Sequence, residues 1–322
     1  MSNLQQPRIA IIGTGAIGGF YGVMLARAGF DVHFLLRSEF APVSAQGLQV
    51  NSAVHGAMHI PSVQAYRHAA EMPACDWLLV GAKTTSNAEL APLISSVAAP
   101  GAKVLLLQNG LAVEDALRPL LPDTLHLLGG LCFICVHRSA PGVIEHQSLG
   151  ALSIGYHSGP AIEPAARQMI VDEGANLFRV AGLDATAMPC LELARWQKLV
   201  WNVPYNGLSV LLNASTRELM ANADSRALIH ALMLEVLQGA AACGHNLPAG
   251  YADKLLTTTD RMPEYWPSMY HDALLRRPLE LTAIYATPLA AAALAGCRLP
   301  RIEALQQALA FVEARNQQLG AV

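Results

Sequence analysis

Apolar and polar positions alternate in blocks along the first half of the chain. Runs that are apolar almost throughout predict parallel strands covered on both faces, over 8–12, 31–37, 76–83 and 103–110. Helical spacing predicts helices over 88–98 and 164–180. Shorter runs predict further strands over 127–136, 142–147, 151–155 and 182–185. This alternation is typical of an α/β domain with a doubly wound sheet.

From about residue 191 the spacing becomes helical with few interruptions. Apolar residues recur every three or four positions over 191–212, 225–243, 249–258, 268–277, 279–295 and 301–319. A chain of 322 residues also exceeds the usual size of a single domain. We therefore expect an α/β domain over 1–189 and an all-α domain over 190–322.

Composition narrows the class of partner. Hydrophobic residues make up 53% of the chain and charged residues 14%, with a net charge of -3, which disfavours a disordered chain. The same balance offers no basic surface for nucleic acid. We therefore expect a small-molecule ligand and no nucleic acid.

Two features indicate a reducing compartment and no membrane anchor. The six cysteines are scattered, and no basic and then apolar leader is present, so we expect a cytoplasmic protein. The most membrane-like run, 289–294, falls well short of the roughly 20 apolar residues that a span needs. The long apolar helices of the second domain are compatible with a homodimer.

The first strand is followed by a glycine-rich loop. Gly13-x-Gly15-x-x-Gly18 stands between that strand and a helical segment, as in a Rossmann-like dinucleotide-binding domain. In such a loop the backbone of Gly13, Gly15, Ala16, Ile17 and Gly18 would hold the pyrophosphate of the cofactor.

The end of the second strand selects between the two nicotinamide cofactors. An acidic residue there accepts hydrogen bonds from the ribose 2′-OH of NAD(H), whereas arginine suits the 2′-phosphate of NADP(H). This place holds Arg37, and Asp31 lies at the opposite end of the strand. We predict NADP(H); Glu39 is the residue that argues against it, and an ordinary surface arginine is the alternative for Arg37.

Polar residues follow two other strands of the sheet. Lys83 and the segment Gln108-Asn109-Gly110 would project at the carboxyl ends of parallel strands, where ligands of doubly wound sheets bind. We expect Lys83 and the segment 108–110 to lie near a bound ligand. A simple turn is the alternative for Asn109-Gly110.

Two pairs of residues have the spacing of metal ligands. Cys132 and Cys135 lie on a predicted strand, where an odd separation points side chains to opposite faces. His55 and His59 lie in a segment without helical spacing and have no further ligand nearby in sequence. We assign no metal.

The second domain contains a polar stripe within an apolar helix. Lys198, Asn202 and Asn206 are spaced four apart, which places them on one side of the helix. Burying an amine and two amides is costly unless a polar group meets them, so the stripe indicates a substrate site. In the alternative, Lys198 extends to solvent and the asparagines cap neighbouring helix ends, since Pro204 frees a carbonyl.

These motifs together resemble the ketopantoate reductase family over nearly the whole chain. They are the glycine loop, Arg37, Lys83, Gln108-Asn109-Gly110, Trp196-x-Lys198-x3-Asn202-x3-Asn206 and Ser268-x3-Asp272-x7-Glu280. The resemblance implies NADPH-dependent reduction of a 2-keto acid to a 2-hydroxy acid, most simply 2-dehydropantoate to pantoate in pantothenate biosynthesis.

The resemblance also implies roles for individual residues. The lysine matching Lys198 protonates the carbonyl oxygen as general acid, and the glutamate matching Glu280 holds that lysine and the substrate hydroxyl. Positions matching the family's contacts to substrate and cofactor are Asn202, Asn206, Ser268, Lys83 and Asn109. A helix N-cap is the alternative for Ser268, and a surface carboxylate is the alternative for Glu280.

Three segments depart from the family pattern. After Glu280 many members read Ile-Asp-x-x-Asn-Gly, whereas residues 281–286 of this chain read Leu-Thr-Ala-Ile-Tyr-Ala. Many members carry a Thr-Thr-His run where residues 131–135 read Leu-Cys-Phe-Ile-Cys. Pro204 interrupts the asparagine helix, whereas members typically carry their proline at the position of Gly207. Two other functions therefore stay open: a related NADP-dependent dehydrogenase for another 2-keto or 2-hydroxy acid, and a non-catalytic NADP(H) sensor.

Overall fold

The computed structural model describes residues 6–320, which form two compact units. The first unit comprises the described residues up to Gln108 together with Val113–Leu191; the second comprises Asn109–Ala112 and the described chain from Glu192 onward. The short segment Asn109–Ala112 thus packs with the helical unit, and the Leu111 N–H donates to the Ala283 carbonyl at 2.9 Å. The spacing of apolar residues contains no signal for this excursion.

The first unit is built on a mixed sheet with helices. Its strands are β1 (Arg8–Ile12), β2 (Asp31–Leu35), β3 (Leu48–Ser52), β4 (Gly56–Ile60), β5 (Gln64–Tyr66), β6 (Cys75–Val80), β7 (Ala98–Leu106), β8 (His126–Ala140), β9 (Val143–Ser158) and β10 (Ala185–Ala187). Its helices are α1 (Ala16–Arg27), α2 (Phe40–Gln46), α3 (Asn87–Val97), α4 (Val113–Leu117) and α5 (Pro164–Val180).

The strand order places the ends of β1, β6 and β7 side by side. The order is β4-β3-β9-β8-β7-β6-β1-β2-β5, with β10 paired to β9, and the run from β8 to β5 is parallel throughout. The chain leaves β1 toward β2 on one side and returns to β6 on the other. This reversal is the switch point at which doubly wound sheets bind ligands.

The strands predicted over 142–147 and 151–155 are one strand, so the prediction of two is wrong. β9 pairs with β8 in a long antiparallel hairpin, where Phe133 lies opposite Ala151 and Ile134 opposite Leu149. Gly150 between them has φ of 128° and no partner in the register, which makes it a β-bulge. The bulge lets the strand continue past a local break in its pattern.

The second unit is helical. Its α-helices are α6 (Leu191–Leu212), α7 (Thr216–Ala221), α8 (Ala223–Ala242), α9 (Tyr251–Asp260), α10 (Ser268–Leu274), α11 (Thr287–Leu294) and α12 (Pro300–Gly320). Trp196, Tyr205 and Tyr285 are fully buried in its core. None of the described helices combines the length and apolarity that crossing a membrane requires.

The helix predicted over 279–295 is confirmed over 281–294, but it is not a regular α-helix throughout. The chain instead forms a π-helical turn, Thr282–Ala286, before α11, and the Thr287 N–H donates to the Thr282 carbonyl. Pro288 has no N–H, so the Ile284 carbonyl cannot receive the regular α-helical bond from four residues on. Turns of this kind leave a carbonyl free for other partners, and here Ala283 binds Leu111.

Candidate active site

The glycine loop after β1 is shaped by close backbone approach. Gly13 has φ of +89°, and a methyl group at this position would lie 2.5 Å from the Ala82 nitrogen. A methyl group at Gly18 would lie 2.3 Å from the Gly13 carbonyl oxygen. The Thr14 hydroxyl donates to the Leu35 carbonyl at 3.1 Å and holds the loop against the end of β2. Only glycine therefore fits at the two outer positions of the motif.

The middle glycine faces open space and fits a diphosphate. A methyl group at Gly15 would meet no atom within 4 Å, so this is the position at which a ligand can approach the backbone. Gly15 is also the N-cap of α1, where no side chain caps the helix and the first turn, beginning at Ala16 and Ile17, contains no acidic residue. Unsatisfied N–H groups and the positive end of the helix dipole are what an anionic phosphate requires.

Past the end of β2, Arg37 is exposed and forms an ion pair across to α3. Its Nη2 lies 3.0 Å from Oε2 of Glu89. The carboxylate of Glu39, by contrast, is buried, pairs with Arg138 and accepts from the Gly142 N–H at 3.1 Å. Glu39 is therefore engaged with the β8–β9 hairpin, which removes the sequence-based argument against NADP(H).

Lys83 and Gln108 follow the neighbouring strands β6 and β7. Lys83 is half-buried and immediately precedes a 3-10 turn that leads into α3. The Gln108 side chain donates to the Ala82 carbonyl at 3.0 Å and to Asn87 Oδ1 at 2.7 Å. Gln108 thus ties together the segments that follow the two strands.

Lys198, Asn202 and Asn206 lie on α6 as predicted, in a helix that continues through Pro204. Lys198 is half-buried, and both asparagines are buried. Asn206 donates to the Asn202 carbonyl at 3.1 Å and accepts from the Met269 N–H at 3.3 Å, which joins α6 to α10. Asn202 differs, because its Nδ2 is buried without a hydrogen-bond partner among the described residues. A buried orphan donor indicates a ligand position.

Asn109 presents a second orphan atom in the same unit. Its Oδ1 is buried and has no hydrogen-bond partner within residues 6–320. The next residue, Gly110, has φ of +113°, and a methyl group there would lie 2.4 Å from the Ala283 Cβ. The chain bends at Gly110 and packs tightly against Ala283, and the bend leaves the amide oxygen of Asn109 available.

Ser268 is not a helix N-cap and Glu280 is not a surface carboxylate, the two alternative interpretations of these residues. Pro267 is the N-cap of α10, and Ser268 is the first helical residue and makes no capping bond, so the N-cap alternative is wrong. Glu280 is only 4% exposed, so the surface alternative is wrong as well. Sequence reasoning did not select Arg195, which is also buried. The available signal was an arginine between Ala194 and Trp196 on the apolar side of a helix.

The predicted residues fall into two groups. The glycine loop, Arg37 and Lys83 belong to the first unit, whereas Asn109, Lys198, Asn202, Asn206, Ser268 and Glu280 belong to the second. Within the described chain, no three histidine, cysteine or acidic side chains are grouped to hold a metal ion. Cys132 and Cys135 are buried thiols.

Comparison with known proteins identifies the family. Residues 9–159 match the family described as Ketopantoate reductase PanE/ApbA, and residues 191–313 match Ketopantoate reductase PanE/ApbA C terminal. The chain is 42% identical to 2-dehydropantoate 2-reductase of Nostoc sp. over 98% of both chains.

Solved structures agree with this assignment. The structure of 2-dehydropantoate 2-reductase from Geobacter metallireducens has a TM-score of 0.87 at 41% identity, covering 94% of this chain and 98% of that one. The enzyme from Methylococcus capsulatus has a TM-score of 0.82 at 33% identity, covering 96% and 97%. The chain therefore belongs to the ketopantoate reductase family of NADPH-dependent oxidoreductases.

Proposed function

We propose that the chain reduces the ketone of 2-dehydropantoate to the secondary alcohol of pantoate. The observation that carries the proposal is the polar stripe on α6, in which Lys198 is half-buried and Asn202 and Asn206 are buried, with an orphan amide nitrogen at Asn202. A cation and amide groups on one helix suit a substrate that carries a carbonyl, a hydroxyl and a carboxylate. The family membership supports the same reaction.

The first unit would bind the cofactor. In sequence terms, the proposed NADP-binding domain spans residues 1–189. Backbone groups of Gly13, Gly15, Ala16, Ile17 and Gly18 would hold the diphosphate at the N-terminus of α1. Arg37 would bind the 2′-phosphate, because guanidinium groups pair with phosphate through two hydrogen bonds. Lys83 would add a further contact to the cofactor, and Asn109 is proposed as a cofactor contact as well. When bound, NADPH supplies the hydride.

Lys198 would serve as general acid. Addition of hydride to a ketone builds negative charge on the carbonyl oxygen, so a positioned ammonium group stabilises the transition state more than the ground state. The Lys198 Nζ would donate its proton to that oxygen as the alcohol forms. Glu280 would keep the lysine charged and in place, because a neighbouring carboxylate favours the protonated amine.

The remaining polar groups would bind the substrate. They belong to the proposed substrate domain, which spans residues 190–322. Asn202 Nδ2 is an unused donor in a buried position. Asn206 retains one N–H and one lone pair after its bonds to Asn202 and Met269. The Ser268 hydroxyl at the start of α10 would bind the substrate carboxylate. The protein would work in the cytoplasm as a homodimer.

The proposal is tested by following NADPH oxidation with a panel of 2-keto acids. We expect kcat/KM to be higher for 2-dehydropantoate than for 2-ketoisovalerate and phenylglyoxylate, two alternative substrates of different size that are assayed separately. A clear preference for another keto acid would assign a related dehydrogenase. Binding of NADPH without turnover of any keto acid would assign a sensor. Light-scattering measurement of the mass in solution tests the dimer.

A further inference from the structure

A tyrosine hydroxyl lies against the backbone of the asparagine helix. Tyr285, in the π-helical turn, is fully buried, and its hydroxyl donates to the Val203 carbonyl at 2.9 Å. The backbone of Gly207 also adjoins the Tyr285 hydroxyl oxygen. Val203 and Gly207 are four residues apart on α6, so the hydroxyl touches both ends of one helical repeat. Insertion of a side chain at such a place sets the local path of a helix.

The contact requires glycine at position 207. A methyl group at Gly207 would lie 2.7 Å from the Tyr285 hydroxyl and 2.9 Å from a Leu305 methyl carbon. Glycine is otherwise among the least favourable residues in a helix interior. Glycine is present at position 207 because a larger residue would collide with the Tyr285 side chain.

The touched residues directly follow two predicted substrate contacts. Val203 follows Asn202, and Gly207 follows Asn206, so the backbone path at these positions sets the direction of both amides. Pro204 lies between them and supplies no N–H, which leaves the Val200 carbonyl without its helical partner. α6 therefore lacks one backbone hydrogen bond in the turn that carries the two side-chain amides. The Tyr285 hydroxyl adds a contact to the same turn.

The opposite side of the π-helical turn holds the third asparagine. The Ala283 carbonyl accepts from the Leu111 N–H at 2.9 Å, and Gly110 packs on Ala283 without room for a methyl group. Asn109 directly precedes this contact. One turn of five residues thus fixes the segment with Asn109 and the helix with Asn202 and Asn206.

We propose that Tyr285 is a positioning residue that aims the amides of Asn202 and Asn206 at the keto acid. The inference rests on the proposed function, since it concerns the same substrate site. Tyr285 acts through the backbone of α6 and does not itself touch the substrate. A misplacement of contacting groups by about 1 Å is enough to weaken substrate binding and turnover.

The first experiment removes one oxygen atom. Tyr285→Phe keeps the ring and deletes the contact to Val203 and Gly207. We expect the KM for 2-dehydropantoate to rise about tenfold, with a smaller fall in kcat and a KM for NADPH within about twofold of the wild-type value. The matched control is Tyr205→Phe: Tyr205 is equally buried on α6, but its hydroxyl contacts Met220 Sδ at 3.0 Å. We expect that variant to keep all three kinetic constants.

A second variant approaches the same contact from the helix. Gly207→Ala is expected to raise the keto acid KM as well, because its methyl group displaces the hydroxyl. In Tyr285→Phe the obstructing oxygen is gone. The KM of the double variant, relative to wild type, should therefore be raised by clearly less than the product of the two single effects. This non-additivity would not arise if the two residues acted independently.

Two outcomes would overturn the inference. If Tyr285→Phe and Tyr205→Phe show the same lowered melting temperature with unchanged kinetic constants, Tyr285 is structural only. Strictly multiplicative effects in the double variant lead to the same conclusion. Either result with an active wild-type enzyme leaves the proposed function intact, whereas a wild-type enzyme inactive on every keto acid would remove both.

Discussion

The guanidinium of Arg37 lies 3.0 Å from the carboxylate of Glu89, and both side chains are largely exposed. Arg37 is the residue expected to bind the 2′-phosphate of NADP(H), and its guanidinium is paired with the Glu89 carboxylate. An exposed pair of this kind contributes at most about 1 kcal/mol, which a doubly charged phosphate can outcompete. Glu89 would then oppose NADP(H) through its charge and leave NAD(H) unaffected.

Arg37→Ala should weaken NADP⁺ binding about tenfold or more and leave NAD⁺ binding nearly unchanged, since hydrogen bonds to charged groups contribute roughly 1.5–3 kcal/mol. Glu89→Gln should tighten NADP⁺ binding by a few-fold. Both are measured by titrating the protein with each cofactor at two salt concentrations. An equal loss for NADP⁺ and NAD⁺ in Arg37→Ala would mean that the arginine does not contact the 2′-phosphate.

Lys198→Ala should lower kcat by about 10²- to 10⁴-fold, the usual contribution of general acid catalysis. The Kd of NADPH should stay within about twofold, because Lys198 is not one of the proposed cofactor contacts. The matched variant Lys198→Arg keeps the positive charge but holds its proton too tightly to transfer it. An undiminished kcat in Lys198→Ala would refute the mechanism.

Asn202→Ala and Asn206→Ala should separate in their effects, although sequence spacing treats the two alike. Asn202 Nδ2 has no partner among the described residues, so its loss should raise the keto acid KM with little change in melting temperature. Asn206→Ala leaves the Met269 N–H without its acceptor and should also lower stability by about 1–3 kcal/mol. Thermal unfolding and steady-state kinetics on both variants test the distinction. Equal melting temperatures would contradict it.

Acidification from pH 7 to pH 5 should destabilise the protein. Burial lowers the pKa of His33, His126 and His146 below the usual 6.5. The folded state therefore favours the neutral rings, and the stability they contribute is fully present above pH 6.5 and falls as the pH drops toward their folded pKa values. For His146 the cause is burial, which outweighs the opposite effect of the hydrogen bond from Nε2 to the Ser148 carbonyl at 3.1 Å.

Urea unfolding at intervals between pH 7.5 and pH 5 measures this effect. The carboxylates with lowered pKa, Asp31 and Asp260, lose their contributions only below the usual 3.8, outside this window. A free energy of unfolding that is constant or rises toward pH 5 would contradict the prediction.

Much of the fold follows from local pattern. The glycine loop, the apolar strand runs and the helical spacing of 191–212 each depend on residues close together in sequence, so the backbone they favour is visible without the rest of the chain. The stripe of Lys198, Asn202 and Asn206 was visible for the same reason, because helix geometry alone places residues four apart on one side.

The tertiary structure decided which of those residues are already engaged. Glu39 pairs with Arg138, Asn206 accepts from Met269, and Tyr285 reaches Val203, each across a long separation in sequence. Such contacts depend on strand register and helix packing, which leave no periodic signal in the chain. By itself the sequence determined the kind of chemistry that the residues support. Only the packing decided that Asn202 and Asn109 keep unused polar atoms and that Tyr285 lies against α6, the helix of Asn202, because burial and partnership are properties of the assembled fold.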